Sequence, residues 1–164
     1  MFKKRRQECV FYTGNYNSWS DAVASSSGYD DDLILDKVDA TCSKLRDGKI
    51  SGERDSLIFD TPQHSFKLLT ALLYAISKTE SLTVFDIGGS LGSTFYQHKK
   101  FIETNICAWN IIEQKKFVTI GNRDYSSDKL RFVYELPDTI DKSSSFFLLS
   151  STLQYLEKPY DYIE

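Results

Sequence analysis

Ser81-Leu82-Thr83-Val84-Phe85-Asp86-Ile87-Gly88-Gly89-Ser90-Leu91-Gly92-Ser93 decides how the rest of the chain reads. The run Leu82–Phe85 is β-prone and apolar, as a parallel strand buried on both faces must be. It ends in a carboxylate, and a glycine-rich turn then leads into a new segment. Glycine lets the backbone turn with positive φ and approach a ligand without a Cβ in the way. The free N–H groups at the start of the following helix face whatever binds there. Asp86 therefore stands at the carboxyl end of a strand, where open α/β sheets bind ligands.

Working outward, strand-like and helical stretches alternate. Ile106–Ile112 reads as the next strand, ending in Glu113-Gln114, and Thr94–Ile102 as the helix that crosses back to it. Lys115–Ile120 suits a short helix, Leu130–Tyr134 a third strand, and Ser145–Ser150 a fourth. Leu153–Leu156 begins another helix or turn. This alternation implies parallel βαβ units with right-handed crossovers. Upstream, Thr61-Pro62 is a helix start, with Thr61 as cap and Pro62 in the first helical position. Phe66, Leu68, Leu69, Leu72, Leu73 and Ile76 then form a wide apolar stripe that the helix should bury against the sheet. Leu33, Ile34, Val38, Cys42 and Leu45 keep helical spacing over about Asp31–Asp47, with Asp30-Asp31-Asp32 at the favourable end of the dipole. Ser18 or Ser20 caps a short helix near Asp21–Ala24. Cys9–Tyr12 is a short apolar stretch.

Bulk properties narrow the function classes. With 164 residues, 41% of them apolar and 14% aromatic, the chain is one globular domain. A formal charge of −3 offers no electrostatic case for nucleic acid or a membrane surface. The one basic run, Lys3–Arg6, reads as a solvated terminus. Cys9, Cys42 and Cys107 form no C-x-x-C pair, so neither a disulfide framework nor a zinc site is indicated. Gln7–Asn15 lacks the long apolar core expected of a signal peptide, and no run approaches membrane-spanning length. The expectation is a soluble, cytoplasmic protein.

The chemistry centres on two carboxylates at the ends of successive strands, Asp86 and Glu113. A strand-end acid after a glycine turn suits the paired hydroxyls of a ribose, because a carboxylate offers paired acceptors. Two cofactor classes use such a turn. A dinucleotide brings a pyrophosphate, which Asp86 would repel. S-adenosylmethionine brings a cationic sulfonium and an ammonium, which Asp86 would attract. Charge favours the methyl donor. Glu53-Arg54-Asp55 is either a substrate anchor or an ordinary surface cluster. Ser150, Ser151, Gln154 and Tyr155 follow the fourth strand, placed either to face the donor methyl or to cap and pack the next helix. His64 and His98 lack a catalytic context, and His98 reads as a surface residue.

The chain also resembles a family of bacterial class I methyltransferases often associated with surface-polysaccharide gene clusters. The blocks that carry the likeness run in order from about Phe11 to Tyr160: Gly14-x-Tyr16-x-x-Trp19-x-x-Ala22, Gly28-Tyr29, Glu53-Arg54-Asp55, Phe85–Ser93, Trp109-x-x-x-Glu113-Gln114, Leu130-x-Phe132 and Leu149-Ser150-Ser151-x-Leu153–Leu156. The resemblance implies a Rossmann-like three-layer sandwich with parallel sheet order 3-2-1-4, the last strands of the fold missing. Residues 56–164 would form this incomplete domain, and residues 1–55 an N-terminal helical cap or lid. It also implies that Asp86, Gly88, Gly89, Ser90 and Gly92 hold the methionine and ribose portion of S-adenosylmethionine. Glu113 would take the ribose hydroxyls, Gln114 would line the adenine pocket, and Ser150 and Ser151 would complete the site. The acceptor implied is a small molecule or saccharide, such as a polysaccharide precursor. The fourth strand would leave an apolar edge for a second copy or another chain to cover. A non-catalytic binding or assembly module on the same fold is the alternative.

Overall fold

In the computed structural model, residues 14–26 and 32–162 are described; Cys9–Tyr12, Lys3–Arg6 and Gly28-Tyr29 lie outside them. In chain order the elements are α1 (Trp19–Ala24), α2 (Asp32–Arg46), β1 (Gly52–Arg54), β2 (Leu57–Phe59), α3 (Phe66–Ile76), β3 (Leu82–Ile87), α4 (Ser93–Ile102), β4 (Ile106–Ile112), α5 (Lys115–Ile120), β5 (Leu130–Val133) and β6 (Ser145–Leu148). Strands β3 to β6 form one parallel sheet in the order β5-β4-β3-β6. Counting only these parallel strands along the chain, that order is 3-2-1-4. The labels run two higher because β1 and β2 make a separate antiparallel hairpin ahead of the sheet.

The order places a topological switch at the tip of β3. From β3 the chain crosses by α4 to β4 on one side, while β6 lies on the other side of β3. Connections leaving in opposite directions open a crevice at the carboxyl ends of these strands. Asp86 stands in register with Ile111 of β4 and Leu148 of β6 at that switch point.

Covering of the two sheet faces is unequal. Val84, Trp109, Ile111, Leu130 and Phe132 pack with Leu35 and Cys42 of α2, Leu69 and Leu72 of α3, Phe95 and Ile102 of α4, and Phe117 and Val118 of α5. On the other face Phe85, Ile87 and Ile112 meet Leu136, Ile140, Phe147, Leu149 and Tyr162, with no α-helical residue among them. This corrects the three-layer expectation for the described residues: helices lie on one face and loops on the other. The reason is local, since the connection from β5 to β6 contains Pro137 and folds as loop and one 3-10 turn (Lys142–Ser144). No helix among the described residues is long and apolar enough to cross a membrane.

Helix α2 belongs to the same apolar core as the sheet, and polar contacts fasten it there. A π-helical turn at Gly121–Tyr125 buries the Tyr125 ring. The Tyr125 hydroxyl donates to Asp39 Oδ1 (2.6 Å), its carbonyl accepts from the Tyr96 hydroxyl (2.8 Å), and the Arg46 guanidinium lies 5.0 Å over its ring.

Three expectations about α3 and α4 are corrected. The helix begins at Phe66 with Ser65 as its cap, not at Thr61-Pro62. Thr61–Gln63 runs against β1 so closely that a Cβ on Gly52 would stand 2.8 Å from the Thr61 carbonyl. The apolar stripe is also wider than its seat: Leu69 and Leu72 are buried, but Phe66 is 74% and Leu73 48% exposed. His98 is not on the surface but buried, and both ring nitrogens are used. Nε2 accepts the Ser65 N–H (2.9 Å), so Nδ1 carries the proton and donates to the Thr94 carbonyl (2.7 Å). His98 thus bolts the start of α3 to α4 as a neutral imidazole, and burial holds its pKa below the ordinary value.

A histidine kept neutral by folding contributes stability above its unfolded midpoint, and loses it as pH falls through that midpoint. His98→Ala is expected to destabilise the chain by about 2–4 kcal/mol at pH 7.5, from an orphaned N–H and a cavity. The gap to wild type should narrow at pH 5.5, as measured by urea unfolding at both pH values; an unchanged gap would contradict the neutral bolt.

Candidate functional site

The glycine turn after β3 is shaped by three left-handed steps, at Gly88 (φ +75°), Ser90 (φ +55°) and Gly92 (φ +86°). At Gly88 a side chain is excluded twice, by φ and by Thr152, whose Oγ1 would lie 2.6 Å from an added Cβ. The Gly88 N–H extends the sheet by donating to the Ile112 carbonyl (2.9 Å). Gly89 is needed for close approach instead: its Cα lies against the Asp86 carboxyl, and a Cβ there would stand 2.6 Å from Oδ2. Gly92 opens α4 with no side-chain cap. Ser90 is the one non-glycine in the turn held at positive φ, a conformation that costs energy and recurs at ligand sites.

Asp86 is 2% exposed. Its Oδ2 accepts the indole N–H of Trp109 at 3.1 Å, and its Oδ1 has no hydrogen-bond partner among the described residues. Burial pushes its pKa up to about 7; the Trp109 bond opposes this, and the nearby Glu113 adds to it. Glu113, mostly buried at the end of β4, accepts the Ser90 N–H at Oε1 (3.2 Å) and the Gln114 N–H at Oε2 (2.8 Å). Its pKa is raised by burial against those two bonds. The two carboxylates therefore converge on neighbouring residues of one turn, Asp86 on Gly89 and Glu113 on Ser90. Each Glu113 oxygen makes one bond and retains capacity for a second.

The other expected residues ring the same edge of the sheet. Gln114 is exposed and caps α5. Ser150 and Ser151, both exposed, lie in the loop after β6, and Ser151 adopts φ +59°. The sequence reading did not single out the residue that brings this loop to the glycine turn, Thr152. Its hydroxyl donates to the Ile87 carbonyl (2.9 Å) while it packs on Gly88. A β-branched polar residue directly after Ser150-Ser151 was the available signal. The Gln154 side chain is turned back on its own loop, donating to the Ser151 carbonyl (2.8 Å).

Two groups lie elsewhere. Glu53 is buried and accepts the Ser56 N–H (2.7 Å), closing the hairpin between β1 and β2, and the Gln97 side chain holds its backbone. That is a turn-closing role for the Glu53-Arg54-Asp55 block. His64 packs against His98 (ring centroids 5.7 Å apart) and edge-on against Phe101 (5.1 Å), at the junction of α3 and α4. No group of three or more His, Cys, Asp or Glu among the described residues is placed to hold a metal ion. Comparison of the chain with family models, curated proteins and solved structures returns no match.

A carboxylate whose folded pKa is raised contributes stability only below its unfolded midpoint, and the contribution is lost as pH rises through the folded one. For Asp86 this window runs from 3.8 to about 7. At roughly 1.4 kcal/mol per pH unit, the ionisable group costs folding on the order of 4 kcal/mol at neutral pH. Asp86→Asn should therefore flatten the pH dependence of stability, gaining about 2–4 kcal/mol on wild type between pH 4.5 and pH 8 in urea unfolding. Parallel curves for the two proteins would show that Asp86 does not carry this cost.

Proposed function

We propose that this chain is an S-adenosylmethionine-dependent methyltransferase module, with its cofactor site at Asp86, Gly88, Gly89, Ser90, Gly92, Glu113, Gln114, Ser150 and Ser151. One observation carries the reading: a buried carboxylate at the tip of the central strand has one oxygen without a partner among the described residues and a second carboxylate beside it. Such a pair is costly when empty and is relieved by a cation. S-adenosylmethionine carries two cationic groups, its sulfonium and its ammonium. A pyrophosphate would add negative charge to a pair that already repels.

The donor set fits the cofactor. Asp86 Oδ1 is open to a hydrogen-bond donor or a positive group, and the spare acceptor capacity of Glu113 suits two vicinal hydroxyls. Gln114, at the start of α5, borders the far side of Glu113, where a base attached to that ribose would lie. Ser150 and Ser151, held in place through Thr152, close the opposite side of the turn. When bound, the cofactor supplies a methyl group already activated by the sulfonium, so the chain's task is alignment of an acceptor. The family resemblance points to a saccharide or other small-molecule hydroxyl as that acceptor, in the cytoplasm.

A non-catalytic binding or assembly module is the second reading, favoured by two observations. Both histidines lie at the α3–α4 junction, and His98 is fully committed to hydrogen bonds there. Strand β6, uncharged over Ser145–Leu148, borders the sheet among the described residues and offers an edge to a second copy or another chain.

Isothermal titration with S-adenosylmethionine and S-adenosylhomocysteine tests the first reading. Saturable one-to-one binding is expected, weakened about tenfold or more, or 1.4 kcal/mol, by Glu113→Ala. Asp86→Asn should weaken the methylated compound more than the demethylated one, which lacks the sulfonium charge. A folded sample that binds neither compound, or that instead enhances NADH fluorescence, overturns the reading. Cofactor binding without methyl transfer to any saccharide acceptor favours the second.

A further inference from the structure

Trp109 is buried at the middle of β4, in register with Val84 of β3 and Leu130 of β5. A buried indole has to place its N–H, and its register partners Val84 and Leu130 have no side-chain acceptor for it. The ring instead reaches across to β3 and towards the sheet's carboxyl edge, where Nε1 meets Asp86 Oδ2 at 3.1 Å. The backbone partner of Asp86 in that register is Ile111, not Trp109, so the bond is made by the length of the indole. The Phe95 ring packs edge-on against Trp109 at 5.8 Å and fixes its plane. Gly89 closes on the carboxyl as well, leaving no room for a Cβ. Asp86 is therefore held in one orientation, with Oδ2 captive and Oδ1 free.

We propose that Trp109 is a positioning residue of the ligand site: by holding Oδ2 of Asp86 it turns Oδ1 towards the cationic part of the bound molecule. The identity of that molecule rests on the methyltransferase reading; the pairing itself exists in the ligand-free chain. The charged side chain that acts on Asp86 is Glu113, from the end of β4, and the turn residues Gly88–Ser90 bring no charge. A packing role alone would make Trp109 important to stability without linking it to the ionisation of Asp86.

That difference is measurable. The chain has two tryptophans, and Trp19 is partly exposed, so its indole N–H serves as an internal control. In 15N-labelled, ligand-free protein the Trp109 indole resonance should move with a midpoint near pH 7, the Trp19 resonance should stay still, and the movement should vanish in Asp86→Asn. Removing the donor with Trp109→Phe withdraws the interaction that favours the charged carboxylate. The pH dependence of S-adenosylmethionine affinity should then shift upward by about one pH unit, and affinity at the alkaline plateau should fall about threefold or more, because Oδ1 is no longer held in one orientation. A uniform loss of affinity at every pH, or an indole that does not titrate, overturns the role of Trp109 while leaving the cofactor reading intact. Wild type that binds neither S-adenosylmethionine nor S-adenosylhomocysteine, with a titrating indole, overturns the cofactor reading and the ligand-facing role, but not the pairing.

Discussion

A carboxylate placed inside the protein at the tip of the innermost strand, with an indole as its one hydrogen-bonding partner, constrains everything around it. Asp86 is almost wholly removed from water, so its charge is costly unless Trp109, a ligand or a proton meets it. Trp109 can meet it only because β4 lies beside β3 in the register that places the indole within reach of the next strand's end. The turn that follows must keep a glycine at 89, because the carboxyl occupies the volume a Cβ would need. Glu113 then braces that turn at Ser90 and, being negative, makes the Asp86 problem worse. A neighbour chosen for stability alone would not be an acid.

The same logic separates the site from the scaffold. On the helical face His98 uses both nitrogens, and Tyr125 answers Asp39 while its ring takes Arg46, though Nδ1 of the neighbouring His64 is buried without a partner among the described residues. Those interactions tie α2, α3 and α4 to one another. At the carboxyl edge of the sheet the balance is different, with Asp86 Oδ1 open, Ser90 in a costly conformation and Glu113 only partly saturated.

The elements legible in the sequence were those whose signal is local. β3, its glycine turn and α4 follow from a run of apolar residues, a carboxylate and three glycines in a short span. β4 ends where Glu113 interrupts its apolar run. What escaped depended on partners far along the chain. Nothing near His98 announces that Ser65 will donate to it from another helix, and the same bond moves the start of α3 past a proline that looked like its first residue. The exposed half of the α3 stripe escaped for a related reason: amphipathic spacing shows which residues are apolar, but not how wide a seat the neighbouring helices leave. Thr152 was hidden because its importance lies in the carbonyl of Ile87 and the missing Cβ of Gly88, neither of which is visible as spacing. The one-sided covering of the sheet could have been anticipated at Pro137, since the crossover from β5 to β6 lacks the uninterrupted periodicity of a helix.

Energy scales explain why such a site can persist. Domains of this size are stable by about 5–15 kcal/mol, and an ionised Asp86 offsets a sizeable part of that. The compensation lies in the core beneath it, where Trp109, Phe95, Leu91, Ile111 and Leu130 are fully or almost fully buried, each worth roughly 1.5–3 kcal/mol of apolar burial. Trp109 belongs to both halves of this balance, supplying buried area to the core and a hydrogen bond to the carboxylate. Stability and ligand affinity are therefore coupled through one side chain. On the proposed reading, a substitution that relieves Asp86 makes the fold safer and the site less attractive to a cation.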